Sequence, residues 1–313
     1  MPSNVDENHP PQAWDADTQR RFDVPRLMAR PSDSHKGTYG HAIVVGGSLG
    51  LSGAITIASS AALRCGAGLV TAAVPQCVQG LVAASQPCAM TCGLEELPEI
   101  GLGERATEQV LAFQKPGAVL GIGPGLGRSA GSVRLVLRLL LEWRQTAVVD
   151  ADALYALSTI ANGPEGLRPF RSEAQLRVLT PHPGEWARIC GVDASDIEGQ
   201  RRAAIRIAKE LGWILVLKGY QTLVTNGEQV FLNPTGNPSL AVGGSGDTLL
   251  GMIVAMVCQG LSAWEGAILG VYLHGRAADL AHAALGTPST LATDLIDFLP
   301  AAFRSLNAEP RSG

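Results

Sequence analysis

From about Val24 to Leu306, short and nearly unbroken apolar runs alternate with longer runs of helical periodicity. The short runs predict strands at His41–Val45, Leu69–Val74, Ala118–Ile122, Ala147–Val149, Val178–Leu179 and Ile214–Leu217. Apolar runs without polar alternation belong to parallel strands covered on both faces. The longer runs predict helices at Gly53–Cys65, Ser129–Trp143, Ser195–Leu211, Asp247–Gln259 and Ala263–Ala284. Ser195 and Glu198 have capping-box spacing at the start of the third. Leu223–Thr225 and Gln229–Phe231 flank Asn226-Gly227, which predicts a type I′ hairpin adding antiparallel strands to the sheet. Such alternation makes an α/β fold. No fixed-period repeat or linker interrupts it, so residues 24–306 are read as one domain. The polar segment 1–23, with Pro10-Pro11, reads as a flexible extension on which Trp14 could dock locally, and 307–313 as a tail.

With 313 residues the chain can bury a substantial core. Its 37 glycines and scarce aromatics suit many tight strand-to-helix turns. A formal charge of −4 and the lack of a basic run argue against nucleic-acid or membrane partners. The apolar run after Asp247 breaks at Gln259 and Glu265, too soon to span a bilayer, and the N-terminus lacks the apolar core of a signal peptide. Of six cysteines only Cys88 and Cys92 are close, and no second Cys/His pair completes a zinc pattern. Reduced, inert thiols in a cytoplasmic setting are expected.

The chemistry concentrates at Gly243-Gly244-Ser245-Gly246-Asp247, directly before an apolar helix. Unpartnered amides and the dipole at a helix start favour an anion such as phosphate. A carboxylate cannot neutralise that anion, so Asp247 reads as a base that deprotonates an attacking hydroxyl. The plainer reading, a first-turn carboxylate, explains the acid but not the glycines. Other loops follow strand ends, where ligands of open α/β sheets bind. Val45-Gly46-Gly47-Ser48-Leu49-Gly50 lacks the G-x-G-x-x-G spacing, and Leu69–Val74 ends at Pro75 without an acid for a ribose, which excludes a dinucleotide-binding Rossmann site; no P-loop occurs. Gly121–Gly127 carries alternating glycines. In Asp150-Ala151-Asp152, Asp152 is expected as a helix N-cap, and Asp150 either ends its strand or holds magnesium through water. His182, fixed between Pro181 and Pro183, is either a rigid helix start or a ligand contact. Lys218, followed by Gly219 to Thr222, is either a snorkelling strand-end lysine or a nucleotide contact.

Taken together, these segments resemble the ADP- or ATP-dependent NAD(P)H-hydrate dehydratases of the ribokinase-like superfamily. The resemblance is collinear from about Leu27 to Leu306 and is carried by Ser34-His35-Lys36-Gly37-Thr38-Tyr39-Gly40, Val45–Ser48 with Ser52-Gly53-Ala54, Arg64–Val70, Gly123–Gly127, Asp150–Leu154, Thr180–Glu185, Lys218-Gly219 with Thr222, Asn233–Pro238 and Gly243–Asp247. It implies a three-layer α/β/α sandwich and the repair of hydrated NADH or NADPH. The C6 hydroxyl of the S form would attack ATP or ADP, and phosphate would then be eliminated. Asp247 would be the base, ionised at its ordinary pKa. Ala54, Gly125, His182 and Asp247 would touch the hydrated dinucleotide. Lys218, Gly219, Tyr220, Gln221, Thr222 and Gly246 would hold the nucleotide, with the amides of Gly244, Ser245 and Gly246 on the phosphate and Mg2+ bridging it. Homotetramers and a separately supplied epimerase are also implied, as is ADP ahead of ATP. Ser239-Leu240-Ala241-Val242 and Thr248 depart from the usual family residues. A vitamin or sugar kinase of the same superfamily, or a non-catalytic nucleotide sensor, are the alternatives; the Ser34–Gly40 segment and the His182 loop speak against the first, and Asp247 against the second.

Overall fold

The computed structural model describes residues 24–99, 101–161, 164–171 and 176–308. The expectations for the segment before residue 24, including Trp14, and for most of the tail lie outside them. In chain order the strands are β1 His41–Val45, β2 Leu69–Pro75, β3 Met90–Leu94, β4 Glu96–Leu97, β5 Gly101–Leu102, β6 Ala118–Ile122, β7 Ala147–Val149, β8 Arg177–Leu179, β9 Ile214–Leu217, β10 Leu223–Thr225 and β11 Val230–Leu232. The helices are α1 Ser52–Arg64, α2 Gln79–Ser85, α3 Glu104–Leu111, α4 Ala130–Glu142, α5 Asp152–Ser158, α6 Pro164–Leu167, α7 Pro183–Cys190, α8 Ile197–Leu211, α9 Ser245–Cys258, α10 Ala263–Leu285 and α11 Ala292–Ala308.

Nine strands form one sheet in the order β11-β10-β9-β8-β7-β6-β1-β2-β3, parallel except for β10 and β11. Alternate residues of each strand feed opposite cores, as the two-residue period of a strand requires. Ala42, Val44, Val148, Val178 and Val216 pack with α1, α9, α10 and α11, while Ile43, Val45, Val149, Leu179 and Leu217 pack with α4, α5, α7 and α8. The chain is therefore the expected three-layer α/β/α sandwich. Arg177, buried in β8, ties one core together. Its guanidinium donates to the Leu140, Trp143 and Gln145 carbonyls at 2.9, 2.7 and 3.0 Å, closing the C-terminus of α4, although burial pulls its pKa down to about 10.

Several local expectations change. Helix α8 is capped by Asp196, which accepts from the Gly199 amide; the Ser195 hydroxyl is taken by Asp193 at 2.6 Å, so the Ser195–Glu198 box does not form. The hairpin is present but is not type I′. Four residues connect the strands, and Gly227 has a positive φ while Asn226 does not. Thr225 Oγ1 accepts from the Gly227 amide, and Asn226 Oδ1 accepts from the Glu228 and Gln229 amides, so side chains shape the turn. Among the cysteines, all free, only Cys65 and Cys258 are buried. No helix among the described residues is long and apolar enough to cross a membrane.

Candidate active site

The chain runs from β1 outward to β2 and β3, then returns to β6 on the other side of β1. This reversal opens a crevice beyond the carboxyl ends of β1 and β6, the usual ligand position in such sheets. The two loops above it interlock. The Gly47 amide donates to the Pro124 carbonyl at 2.7 Å, and Ser48 Oγ to the Gly125 carbonyl at 2.9 Å. Gly125 is left-handed (φ 59°), and a Cβ there would come within 2.6 Å of the Leu51 carbonyl and 3.1 Å of the Ala54 Cβ. Ala54 and Gly125 thus adjoin in the crevice. Asp152 secures the second loop, accepting from the Gly127 amide and from Arg128 Nε, both at 2.9 Å. It is not the N-cap of α5; Ala151 is, in a left-handed conformation, because the Asp152 carboxylate is drawn across to Gly127 and Arg128.

A chain of charges crosses the ends of β7, β8 and β9. Asp150, almost fully buried, accepts from Lys218 Nζ at 2.8 Å, and Lys218 lies 3.9 Å from Glu185 Oε2. Burial depresses the lysine's pKa, but Asp150 and Glu185 outweigh it and hold the ammonium above its ordinary range. Glu185 returns to the His182 amide at 2.9 Å, while His182 Nδ1 accepts from the Gly184 and Glu185 amides. His182 therefore caps α7, and it also lines the cleft described below. With Nδ1 committed as an acceptor, the neutral ring carries its proton on Nε2, 3.5 Å from Glu185 Oε1. Burial, assisted by Lys218, lowers the His182 pKa.

Helix α9 starts at Ser245, two residues earlier than its sequence suggests, with left-handed Gly244 as a side-chain-free N-cap. Of the expected phosphate turn, Ser245 is engaged elsewhere. Its amide donates to the Val242 carbonyl and its hydroxyl meets His274 Nε2 at 3.2 Å. The amides of Gly246 and Asp247 are the ones for which the helix itself has no acceptor. A Cβ on Gly246 would stand 3.2 Å from Lys218 Nζ and 3.3 Å from Asp150 Oδ2, so glycine brings this backbone onto the ion pair.

Gly244 abuts Ile57, and Gly251 abuts the Ala58 carbonyl. Asp247, three and four residues from them, lies on the same stripe of α9, the one toward α1. Its carboxyl is not ordinary. Burial first, then the charge of Asp150, push the Asp247 pKa up to about 7, with Asp152 adding to the rise and Lys218 opposing it. The expectation of an ordinary pKa is therefore corrected.

A cleft of about 850 Å³ opens on the other side of this start. Lys218 to Thr222, Gly246 and His182 line it, together with Asn233–Pro238 and His274. Gln221 holds a left-handed φ of 54°, and Tyr220 is 90% exposed. Strain of this kind in a non-glycine residue clusters at ligand loops. The residues expected on the nucleotide thus share one cavity. His182, expected with Ala54 and Gly125, lines this cleft as well. Three contributors had no assigned role in the sequence: Glu185, His274 and the Asn233–Pro238 wall. His274 is buried and its pKa is pulled down to about 4 by burial, so it stays neutral around pH 7. A histidine in a largely apolar stretch of helix gave no sign of this.

Among the described residues no group of three or more His, Cys, Asp or Glu is arranged to hold a metal ion. Asp150 nevertheless gives one oxygen to Lys218 and turns the other toward the start of α9. A magnesium ion carried mainly by phosphates and water would find one protein-side oxygen in Asp150.

The family model described as NAD(P)H-hydrate dehydratase matches residues 42–301. A Moorella thermoacetica bifunctional NAD(P)H-hydrate repair enzyme is 45% identical over 286 residues, 91% of this chain and 53% of that protein. A Neisseria meningitidis ADP-dependent (S)-NAD(P)H-hydrate dehydratase is 38% identical over 85% of each chain. This chain spans about half the length of the bifunctional relatives and most of the monofunctional one. The crystal structure of a Bacillus subtilis ADP/ATP-dependent NAD(P)H-hydrate dehydratase with ATP and Mg2+ superposes with a TM-score of 0.74 at 30% identity, covering 94% of this chain and 98% of that one. Motifs, fold and sequence agree: the chain belongs to the NAD(P)H-hydrate dehydratase family.

Proposed function

We propose that the chain dehydrates the S form of hydrated NADH or NADPH with ADP, in preference to ATP, as phosphate donor. The carrying observation is the place of Asp247 in the first turn of α9, next to Gly246, which lines the Lys218–Thr222 cleft, and within electrostatic reach of Asp150, Lys218 and the loop residue Asp152. The hydrated nicotinamide lies in the crevice and the nucleotide in the cleft, so hydroxyl and terminal phosphate meet at the start of α9. Asp247 accepts the hydroxyl proton as the C6 oxygen bonds to the terminal phosphorus of ADP and that phosphorus parts from its bridging oxygen, releasing AMP. The Gly246 and Asp247 amides receive the developing charge. A pKa near 7 makes the carboxylate a stronger base than an ordinary aspartate while leaving a usable ionised fraction. Loss of phosphate from C6 and of a proton from C5 then restores the ring double bond. Lys218, held by Asp150 and Glu185, offers positive charge to the nucleotide phosphates. Magnesium, when bound, neutralises phosphate charge.

An epimerase converting the R form to the S form is the functional partner, and homotetramer assembly in the cytoplasm belongs to the same proposal. Turnover is tested by giving purified protein the S hydrate of NADPH, magnesium, and ADP or ATP in parallel. Return of reduced-nicotinamide absorbance, faster with ADP, is expected; no return with either nucleotide removes the reading. Gly246→Val tests the phosphate approach. Its side chain must displace the Lys218–Asp150 pair, so calorimetry should show ADP binding weakened at least about tenfold, the loss of one charge-assisted hydrogen bond.

A further inference from the structure

We propose that Asp279, on α10 and outside the chemistry, is a positioning residue that sets nucleotide affinity by fixing the far wall of the cleft; this rests on the nucleotide reading above. That wall is the segment Asn233–Pro238, which has no regular structure of its own apart from the short turn beginning at Pro238. It is held from outside by one stripe of α10. Asn233 Nδ2 donates to the Val271 carbonyl at 3.2 Å, and Thr235 Oγ1 to the Tyr272 carbonyl at 2.8 Å. Gly275 lets the backbone at Thr235 come close, since a Cβ there would stand 2.6 Å from the Thr235 carbonyl carbon. One turn further on, the Asp279 carboxylate accepts from the Gly236 amide at 3.1 Å through Oδ2 and from Asn237 Nδ2 at 2.9 Å through Oδ1.

Residues 271, 275 and 279 are spaced four apart and so lie along one face of the helix. Asp279 is the charged end of that row. Its two bonds hold successive residues, and each is charge-assisted. The Asn237 side chain they orient also caps the next turn by accepting from the Ser239 amide at 3.0 Å. Releasing Asp279 therefore frees the turn at Gly236-Asn237, which the nucleotide must then order on binding. That cost falls on nucleotide affinity, because the segment touches neither the crevice loops nor Asp247 through any of these bonds.

The test uses the full-length protein and reads KM for ADP, KM for the hydrated dinucleotide, kcat and direct ADP binding. Asp279→Ala removes both charge-assisted hydrogen bonds and should raise the ADP KM and Kd at least about tenfold, with the other KM and kcat within about twofold. Asp279→Asn alone should act similarly, because its amide would face the Asn237 amide. Adding Asn237→Asp to Asp279→Asn exchanges the two groups and restores every donor–acceptor match, so ADP affinity should return. Unchanged ADP affinity in Asp279→Ala, equal loss of kcat and both affinities, or failure of the exchange to rescue would each overturn the inference. If the wild-type chain itself binds no ADP, the nucleotide reading fails and takes this inference with it.

Discussion

Asp247→Asn should lower turnover about 10³-fold, the range lost with a positioned general base, while ADP binding is kept or tightened. Binding is spared because the change removes a negative charge beside the phosphate position and leaves the amides of Gly246 and Asp247 in place. A second readout follows from linkage. The folded-state pKa of Asp247, about 7, lies above its ordinary value of 3.8, so the folded protein holds the proton more tightly than the unfolded chain. The carboxylate's contribution is therefore fully favourable below pH 3.8 and is lost as pH rises through 7. Asp247→Asn removes that penalty and should be more stable than wild type at pH 8, by of order 1–4 kcal/mol, converging with it toward acidic pH. Urea titrations at several pH values measure this. A variant both inactive and less stable at pH 8 would mean the carboxylate serves as structure.

Lys218→Met carries the other large effect. It leaves Asp150, almost fully buried, without its cation. Breaking a buried pair from one side costs about 3–5 kcal/mol, because the remaining charge has neither water nor partner. A marked fall in Tm and loss of ADP binding are expected together. Pairing Lys218→Met with Asp150→Asn separates the two roles: stability should largely recover, while ADP affinity should not. Recovery of both would assign Lys218 a purely structural role.

Much of the architecture was legible because the central strands are buried on both faces. Ala118–Ile122, Ala147–Val149 and Ile214–Leu217 are found with the expected bounds. Where side chains compete locally with backbone preference, the sequence misleads. Thr225 and Asn226 reshape an Asn-Gly turn, and Asp193 takes the Ser195 hydroxyl that the capping-box spacing had reserved. The site was legible as far as its motifs follow strand ends, since adjacent parallel strands bring their loops together. Its tuning was not. The raised pKa of Asp247 depends on burial and on Asp150, about a hundred positions away, and Asp279 reaches Gly236 and Asn237 from a helix whose sequence does not say which loop it packs against. Such effects exist only once the chain is folded.

The proton acceptor is tested most directly by the pH dependence of kcat/KM for the hydrated dinucleotide at saturating ADP, in wild type and Asp247→Asn. Wild-type activity should rise with pH along a limb bending near 7, and the residual activity of the variant should lack that limb. A limb that persists unchanged in the variant would place the base at another residue.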